Sequence, residues 1–278
     1  MNFDTTSAYN RRRFFQTGGF AIATATLLAA CGKDSSSGGG IPRIGNIPPT
    51  TALPEGIVTD EVLLRTATSL EFNAIETYDK VLELGLFTGE TAALASVVKR
   101  FRADHQAHAK ALSEIITSMK GEPFECANEQ ISKLYINPAL TLILGDEATG
   151  VPASDTALND VLTLAIGLES LAGATYQHYV ALISQPKLRS AAMGIADQEV
   201  RHAVVLAQAL NPGIDGIGPS TNPDTGKANI AAVPGAFGSL STINVAVGKA
   251  NEAGNKTTLN FETPSLNSMA YDYAKCSA

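Results

Sequence analysis

The chain has 278 residues and a formal charge of −7, from 20 Lys and Arg against 27 Asp and Glu. An acidic chain does not suggest a nucleic-acid partner, and it is compatible with attracting cations. Once the N-terminal segments described next are set aside, about 220 residues remain, enough for one domain with a sizeable core and an appendage.

Residues 1–31 read as an address rather than as part of the fold. Arg11-Arg12-Arg13-Phe14-Phe15 precedes a small, apolar run from Gly18 to Ala30, which ends in Leu28-Ala29-Ala30-Cys31. That run is too short and too rich in small residues to make a good membrane span. The segment resembles a twin-arginine export signal abutting the lipobox of a bacterial lipoprotein. The resemblance implies cleavage before Cys31, lipidation of Cys31 and a membrane contact through the lipid, in the periplasm or cell envelope. Gly32 after the Cys permits sorting to the outer membrane. A plain cleaved signal with a chance Cys is the alternative. Twin-arginine export carries folded proteins, often with a cofactor loaded. Removing residues 1–30 takes away Asp4 and three Arg, which leaves the mature chain near −9. Residues 32–57, with Ser35-Ser36-Ser37-Gly38-Gly39-Gly40 and several Pro, are expected to form a flexible tether.

Four long helices are expected over residues 58–211. The first runs from a Thr59 cap to about Leu86, with Asp60 and Glu61 at its positive end. Its stripe of Leu63, Ala67, Leu70, Ala74, Tyr78 and Val81 repeats at helical spacing and also carries Glu71. The second starts near Thr88 and stops before Gly121, the expected C-terminal cap. Its stripe includes Phe101, His105, His108 and Leu112, with Asp104 at the edge. Pro and Gly then break the pattern over 121–153, which predicts a long crossover with one short helix near 127–135. The third helix runs from a Ser154 cap to about Ser184 and carries Glu169 among apolar neighbours, an unusual place for a carboxylate. The fourth opens with Pro186 in its first turn and ends at Asn211-Pro212. On it, Glu199 and His202 share a face.

The halves repeat. Leu70-Glu71-x-x-Ala74-x-x-Thr77-Tyr78 matches Leu168-Glu169-x-x-Ala172-x-x-Thr175-Tyr176, and His108-Ala109 with Leu112 matches His202-Ala203 with Leu206. Helix pair, long crossover, helix pair describes an all-α four-helix bundle with one crossover. Three carboxylates and three imidazoles then converge on one interior, a donor set that suits iron, manganese or zinc. His178 faces outward. Without metal, Glu71 and Glu169 would be buried carboxylates bonded to Tyr78, Tyr176 or the histidines.

Over residues 59–210 the chain resembles ferritin-like domain proteins. That family places one Glu on each of helices one and three and Glu-x-x-His on each of helices two and four, around two metal ions. The resemblance implies metal ligation by Glu71, His108, Glu169, Glu199 and His202, with iron or manganese the usual ions and oxygen or peroxide the usual reactants. His105 stands where the family has the second Glu. This removes a bridging carboxylate, which Asp104, one residue off, can only partly replace, and implies a changed nuclearity or metal. Two functions follow: an envelope-anchored metal-binding protein with possible oxidoreductase chemistry, or a non-catalytic, structural or stress- and desiccation-protective lipoprotein on the same scaffold.

After Pro212 the composition shifts to Gly, Asn, Pro, Ser and Thr. Residues 242–247 and 257–261 alternate with period two around Asn251 to Asn255, which predicts a β-hairpin within a C-terminal extension, 212–278. In an oxidising compartment Cys126 and Cys276 can pair; two buried free thiols are the alternative.

Overall fold

The computed structural model describes residues 56–213 and 243–264, together with Met269 and Cys276. The export signal, Cys31, the tether and much of the 212–278 extension lie outside the described residues.

The first helix, α1 (Asp60–Glu83), is capped by Thr59, whose Oγ1 accepts from Val62 N. It stops three residues before Leu86, because Gly85 takes a left-handed φ of 64° and turns the chain away. A 3₁₀ turn (Gly89–Thr91) leads into α2 (Ala92–Ser118). Lys120, not Gly121, adopts the left-handed turn that ends α2, with φ 64°. Gly121 N then closes the end by donating to Ile116 O at 3.0 Å.

The crossover holds more helix than expected. Asn128 caps a short α3 (Glu129–Ile131) by accepting from Gln130 N and Ile131 N. A π turn (Ser132–Ile136) carries the chain on into α4 (Asn137–Leu144). Pro138 falls in the first turn of α4, where its missing N–H is tolerated, so it extends helix here instead of breaking it. Asn73 of α1 clasps this segment. Its Nδ2 donates to Asn128 O and Ser132 Oγ, and its Oδ1 accepts from Asn128 N.

The second pair is α5 (Ala157–Val180) and α6 (Pro186–Leu210). Ser154 makes a turn ahead of α5 by accepting from Thr156 N, so the helix starts later than a Ser154 cap would place it. The turn between the pair is tied to α1, because Asp60 accepts from both Ser184 N and Ser184 Oγ at 2.7 Å.

A two-stranded antiparallel hairpin, β1 (Ile243–Val247) and β2 (Thr257–Phe261), pairs Val245 with Leu259 at its centre. It packs on α5 at Gly167, where an added Cβ would lie 2.4 Å from Val245 Cγ2. Hairpin, crossover, α1 and α5 share one apolar cluster that includes Leu70, Ile143, Leu164, Val245 and Phe261. Complete burial of Phe261 alone is worth about 1.5–3 kcal/mol. Lys256 Nζ pairs with the buried Asp160 carboxylate, which also accepts from Gly248 N at 2.7 Å and so pins both ends of the hairpin turn to α5. Cys126 and Cys276 form a disulfide that ties the tail to the crossover.

These coverings make α1 and α5 the inner helices. Seventeen of the 24 residues of α5 are buried, against eight of the 25 in α6. This explains why α5 is the one described helix long and apolar enough to cross a membrane, while most of it lies inside the bundle.

Candidate metal centre

The four bundle helices bring Glu71, His105, His108, Glu169, Glu199 and His202 together in one polar layer. Apolar clusters close both ends of it. One contains Leu63, Leu112, Ile116, Tyr176 and Ala196; the other contains Phe101, Leu162, Ile166, Ala203 and Leu206. Glu71, His105, Glu169 and Glu199 are each at most 2% exposed, so their charges must be satisfied internally.

The ligand atoms fall into two overlapping groups, each within 4.8 Å: Glu71, His105, His108 and Glu199, and His105, Glu169, Glu199 and His202. Each group has a Glu and a His of its own, and both share His105 and Glu199. Glu199 faces the two groups with different oxygens. Its Oε1 lies 2.8 Å from His108 Nδ1, and its Oε2 lies 3.5 Å from His202 Nδ1 and 3.6 Å from His105 Nε2. His105 also faces both ways. Its Nδ1 is 2.7 Å from Glu71 Oε2, and its Nε2 is 3.2 Å from Glu169 Oε1.

Among the described residues, Glu199 makes no well-formed hydrogen bond through either oxygen; its contacts are ion pairs with imidazoles, 2.8 Å to His108 Nδ1 and 3.5 and 3.6 Å to His202 and His105. Buried polar atoms without partners cost about 1–3 kcal/mol each, and more when charged. Buried carboxylates and imidazoles turned toward one another without well-formed hydrogen bonds fit divalent cations. The six residues therefore pass a chemical test for a metal centre.

Without metal, protons take the place of the cations. Burial opposes charge on His108, but the Glu199 and Glu71 carboxylates outweigh it and lift the imidazole to about 10. Burial likewise opposes charge on His202, and Glu169 and Glu199 lift it to about 9. His105 is raised well above the usual range by Glu199 and Glu169 against its burial. Glu71 is held down to about 2, because His105 and His108 overcome its burial. Glu169 is also lowered, chiefly by His105. Glu199 is the exception: burial, with the charges of Glu71 and Glu169, raises it to about 7.

The supporting groups cross between the halves. Tyr78 of α1 donates to Glu169 of α5, and Tyr176 of α5 donates to Glu71 of α1. Burial and these carboxylates keep both phenols protonated. Asp104 does not join either group of ligands. It is held by Arg100 and lies 3.4 Å from His202 Nε2, the nitrogen turned away from the centre. Gln198 Oε1 is the counterpart, 3.3 Å from His108 Nε2. Partners of this kind fix ring orientation in metal sites. The sequence reading missed Gln198, although it stands one residue before Glu199 as Asp104 stands before His105. It also missed the stacking of Phe101 on His202, with ring centroids 3.9 Å apart. His178 is on the same helix as Glu169 but outside both groups.

A cavity of about 20 Å³ adjoins Tyr78, His105 and Glu169, and its other walls include Leu70, Val81, Val161 and Leu171. It has room for roughly one water-sized molecule.

The family model for the ferritin-like domain matches residues 59–212, more than half of the chain. The chain belongs to the ferritin-like domain family. No curated protein and no solved structure matches it significantly. The bundle, its crossover and the buried His and Glu cluster are thus those of a ferritin-like domain, and the expected fold class holds. His105, the residue expected to depart from the family pattern, lies at the middle of the cluster and belongs to both groups.

Proposed function

We propose that this chain is an envelope-anchored, ferritin-like metal-binding protein whose buried centre holds two iron or manganese ions and acts on iron, oxygen or peroxide. The observation that carries this reading is the fully buried Glu199 carboxylate, with its two oxygens directed at two different groups of ligands. Glu71 and His108 would hold one ion and Glu169 and His202 the other, with His105 and Glu199 between them. Bound iron or manganese would supply one-electron redox chemistry toward oxygen species. Tyr78 and Tyr176 orient the terminal carboxylates by donating to them. The apolar clusters exclude water, and the small cavity beside Glu169 has room for roughly one water-sized molecule. The anchor belongs to the same proposal. Arg11-Arg12-Arg13 and the Leu28–Cys31 lipobox would route a folded, metal-loaded protein out of the cytoplasm and leave it lipidated at Cys31.

Elemental analysis of protein exported and purified without chelators tests the metal reading. About two iron or manganese ions per chain are expected. A chain that takes up none, even from anaerobic ferrous ion, would leave the second reading, a non-catalytic scaffold. That reading has its own support, since three protonated imidazoles neutralise three carboxylates without any metal. Labelling with a radioactive fatty acid tests the anchor, and Cys31→Ser is expected to abolish it.

A further inference from the structure

The six ligands do not see solvent equally. The side chains of Glu71, His105, Glu169 and Glu199 are at most 1% exposed, against 5% for His202 and 11% for His108. The two outermost ligands lie on α2 and α6. Asp104 of α2, 14% exposed, lies beside His202 on the same side of the layer.

The other sides are shut. Between α5 and α6 the packing is tight: a Cβ added at Gly173 would lie 3.1 Å from Val200 Cγ2 and 3.7 Å from Glu199 Cβ. Between α1 and α5 the crossing tyrosines link the two helices, and the crossover and hairpin cover them. An open groove of about 690 Å³ runs between α1 and α2, but its walls are residues such as Ile75, Ala109 and Lys110 and include none of the six ligands. At the layer, α2 and α6 instead meet through polar side chains. Asp104 lies 3.4 Å from His202, and Gln198 lies 3.3 Å from His108. Polar groups that part can be taken up by water, so this seam opens at less cost than packed apolar side chains.

Asp104 is the carboxylate a cation meets on this side, and it is already held. Arg100, 72% exposed, grips both its oxygens at 2.9 and 3.0 Å. An exposed pair four residues apart on a helix is weak and opens readily. Resting on the metal reading above, we infer that cations enter and leave the centre between α2 and α6, past Asp104, and that Arg100 gates this route. With the pair closed, the guanidinium occupies the carboxylate and repels an approaching cation. With Arg100 turned into solvent, Asp104 attracts a hydrated divalent ion in its place, and the ion passes inward between His108 and His202, shedding water. No covalent bond forms and no electron moves. Arg100 is paired outside both ligand groups, so it sets the rate of passage and not the finished site.

The test mixes metal-free full-length protein with Co(II) in a stopped-flow instrument at low ionic strength, and follows release into excess chelator. Arg100→Gln is expected to speed both uptake and release by roughly threefold or more, with Kd little changed. Arg100→Lys keeps the charge but loses the two-pronged grip, and is expected to fall between wild type and Arg100→Gln. Lys110→Gln makes the same charge change at the α1–α2 groove and is expected to keep wild-type rates. Wild-type rates in both Arg100 variants would overturn the gate, as would slower release in Arg100→Gln, the mark of a simple gain in affinity. An equal acceleration in Lys110→Gln would overturn the route. In each of these cases the metal centre stands. A chain that takes up no ion overturns both readings.

Discussion

The two halves of the bundle are built to one pattern and differ where they meet. In the α1–α2 half the terminal ligands are Glu71 and His108, and the shared residue is His105. In the α5–α6 half they are Glu169 and His202, and the shared residue is Glu199. His105 is hydrogen-bonded on both nitrogens, whereas Glu199 is hydrogen-bonded on neither oxygen. In the metal-free state the first half therefore supplies a hydrogen-bonded cation and the second a carboxylate held by ion pairs with the imidazoles. The outer partners differ in the same sense. His202 leans on a charged Asp104, and His108 on a neutral Gln198. A repeat can thus keep its geometry while its halves specialise in charge.

The largest expected effect separates shared from terminal ligands. Glu199→Gln removes the negative charge shared by both groups, whereas Glu71→Gln removes one from the first group only. More than ~100-fold weaker binding of both ions is expected for Glu199→Gln, judging from the 10–100-fold that outer partners alone contribute. Glu71→Gln is expected to keep the ion held by Glu169 and His202. Equilibrium titration with Mn(II) or Co(II) reads the difference, and equal losses in the two variants would mean that the halves do not bind separately.

The protons that replace metal give the next effect, seen as pH dependence. His202 and His108 rise from 6.5 to about 9 and about 10 on folding. The stability they contribute is complete below 6.5 and is lost as pH climbs through those values. Glu199, raised from 4.5 to about 7, works in the same direction: its contribution fades between those two values. Glu71, lowered from 4.5 to about 2, works oppositely, and its contribution is present above 4.5 and lost as pH falls through about 2. Metal-free protein should therefore melt at progressively lower temperature from about pH 6.5 to 10. Metal-loaded protein, whose ligands have already shed these protons, should show no such decline. Paired thermal melts across this range check it. A metal-free Tm that rises above pH 7 would mean that the imidazoles are neutral in the fold.

Outside the metal layer, the halves differ in what covers their inner helix. The crossover clasps α1 through polar groups: Asn128 Nδ2 donates to Ser69 Oγ at 3.2 Å, and Asn128 N to Ser69 O. The hairpin meets α5 through a close apolar contact at Gly167. Gly167→Ala forces a methyl group against Val245 and is expected to cost about 1–3 kcal/mol. Ser69→Ala loses two hydrogen bonds, the one from Asn128 Nδ2 and its own to Thr66 O, at about 1 kcal/mol each. Urea titrations of both variants rank the two coverings, and a neutral Gly167→Ala would mean that the hairpin yields at no cost.

Most of this centre was legible because its signal is periodic. Six polar residues on apolar stripes, repeated in two halves, fix both the helices and the direction of their side chains. What was not legible depends on distance between segments. Nothing in the spacing of Asp104 says that it serves His202 on another helix instead of joining the ligands. Nor does anything near Tyr78 say that its hydroxyl reaches the Glu of the opposite half. Local chemistry also misled where two signals compete. Gly121 is the obvious helix stop, yet Lys120 takes the left-handed turn one residue earlier. Pro138 looks like a breaker, yet the preceding π turn delivers it to the start of a helix.

The two tyrosines give the finest comparison, because their partners are unequally supplied. Glu169 Oε1 accepts from Tyr78 and also faces His105 Nε2, so Tyr78→Phe leaves that oxygen with a neighbour. Among the described residues Glu71 Oε1 accepts from Tyr176, while His105 and His108 both lie toward Oε2. Tyr176→Phe therefore strands a buried carboxylate oxygen and should cost more, about tenfold in affinity for the ion held by Glu71. Tyr78→Phe should change the Glu169 ion by less. Because each hydroxyl serves the opposite half, the affected ion is the one whose ligands do not share the mutated helix pair. Site-resolved Co(II) spectra of the two variants can tell which ion has weakened. Loss at the tyrosine's own half would mean that the crossing contacts do not survive metal loading.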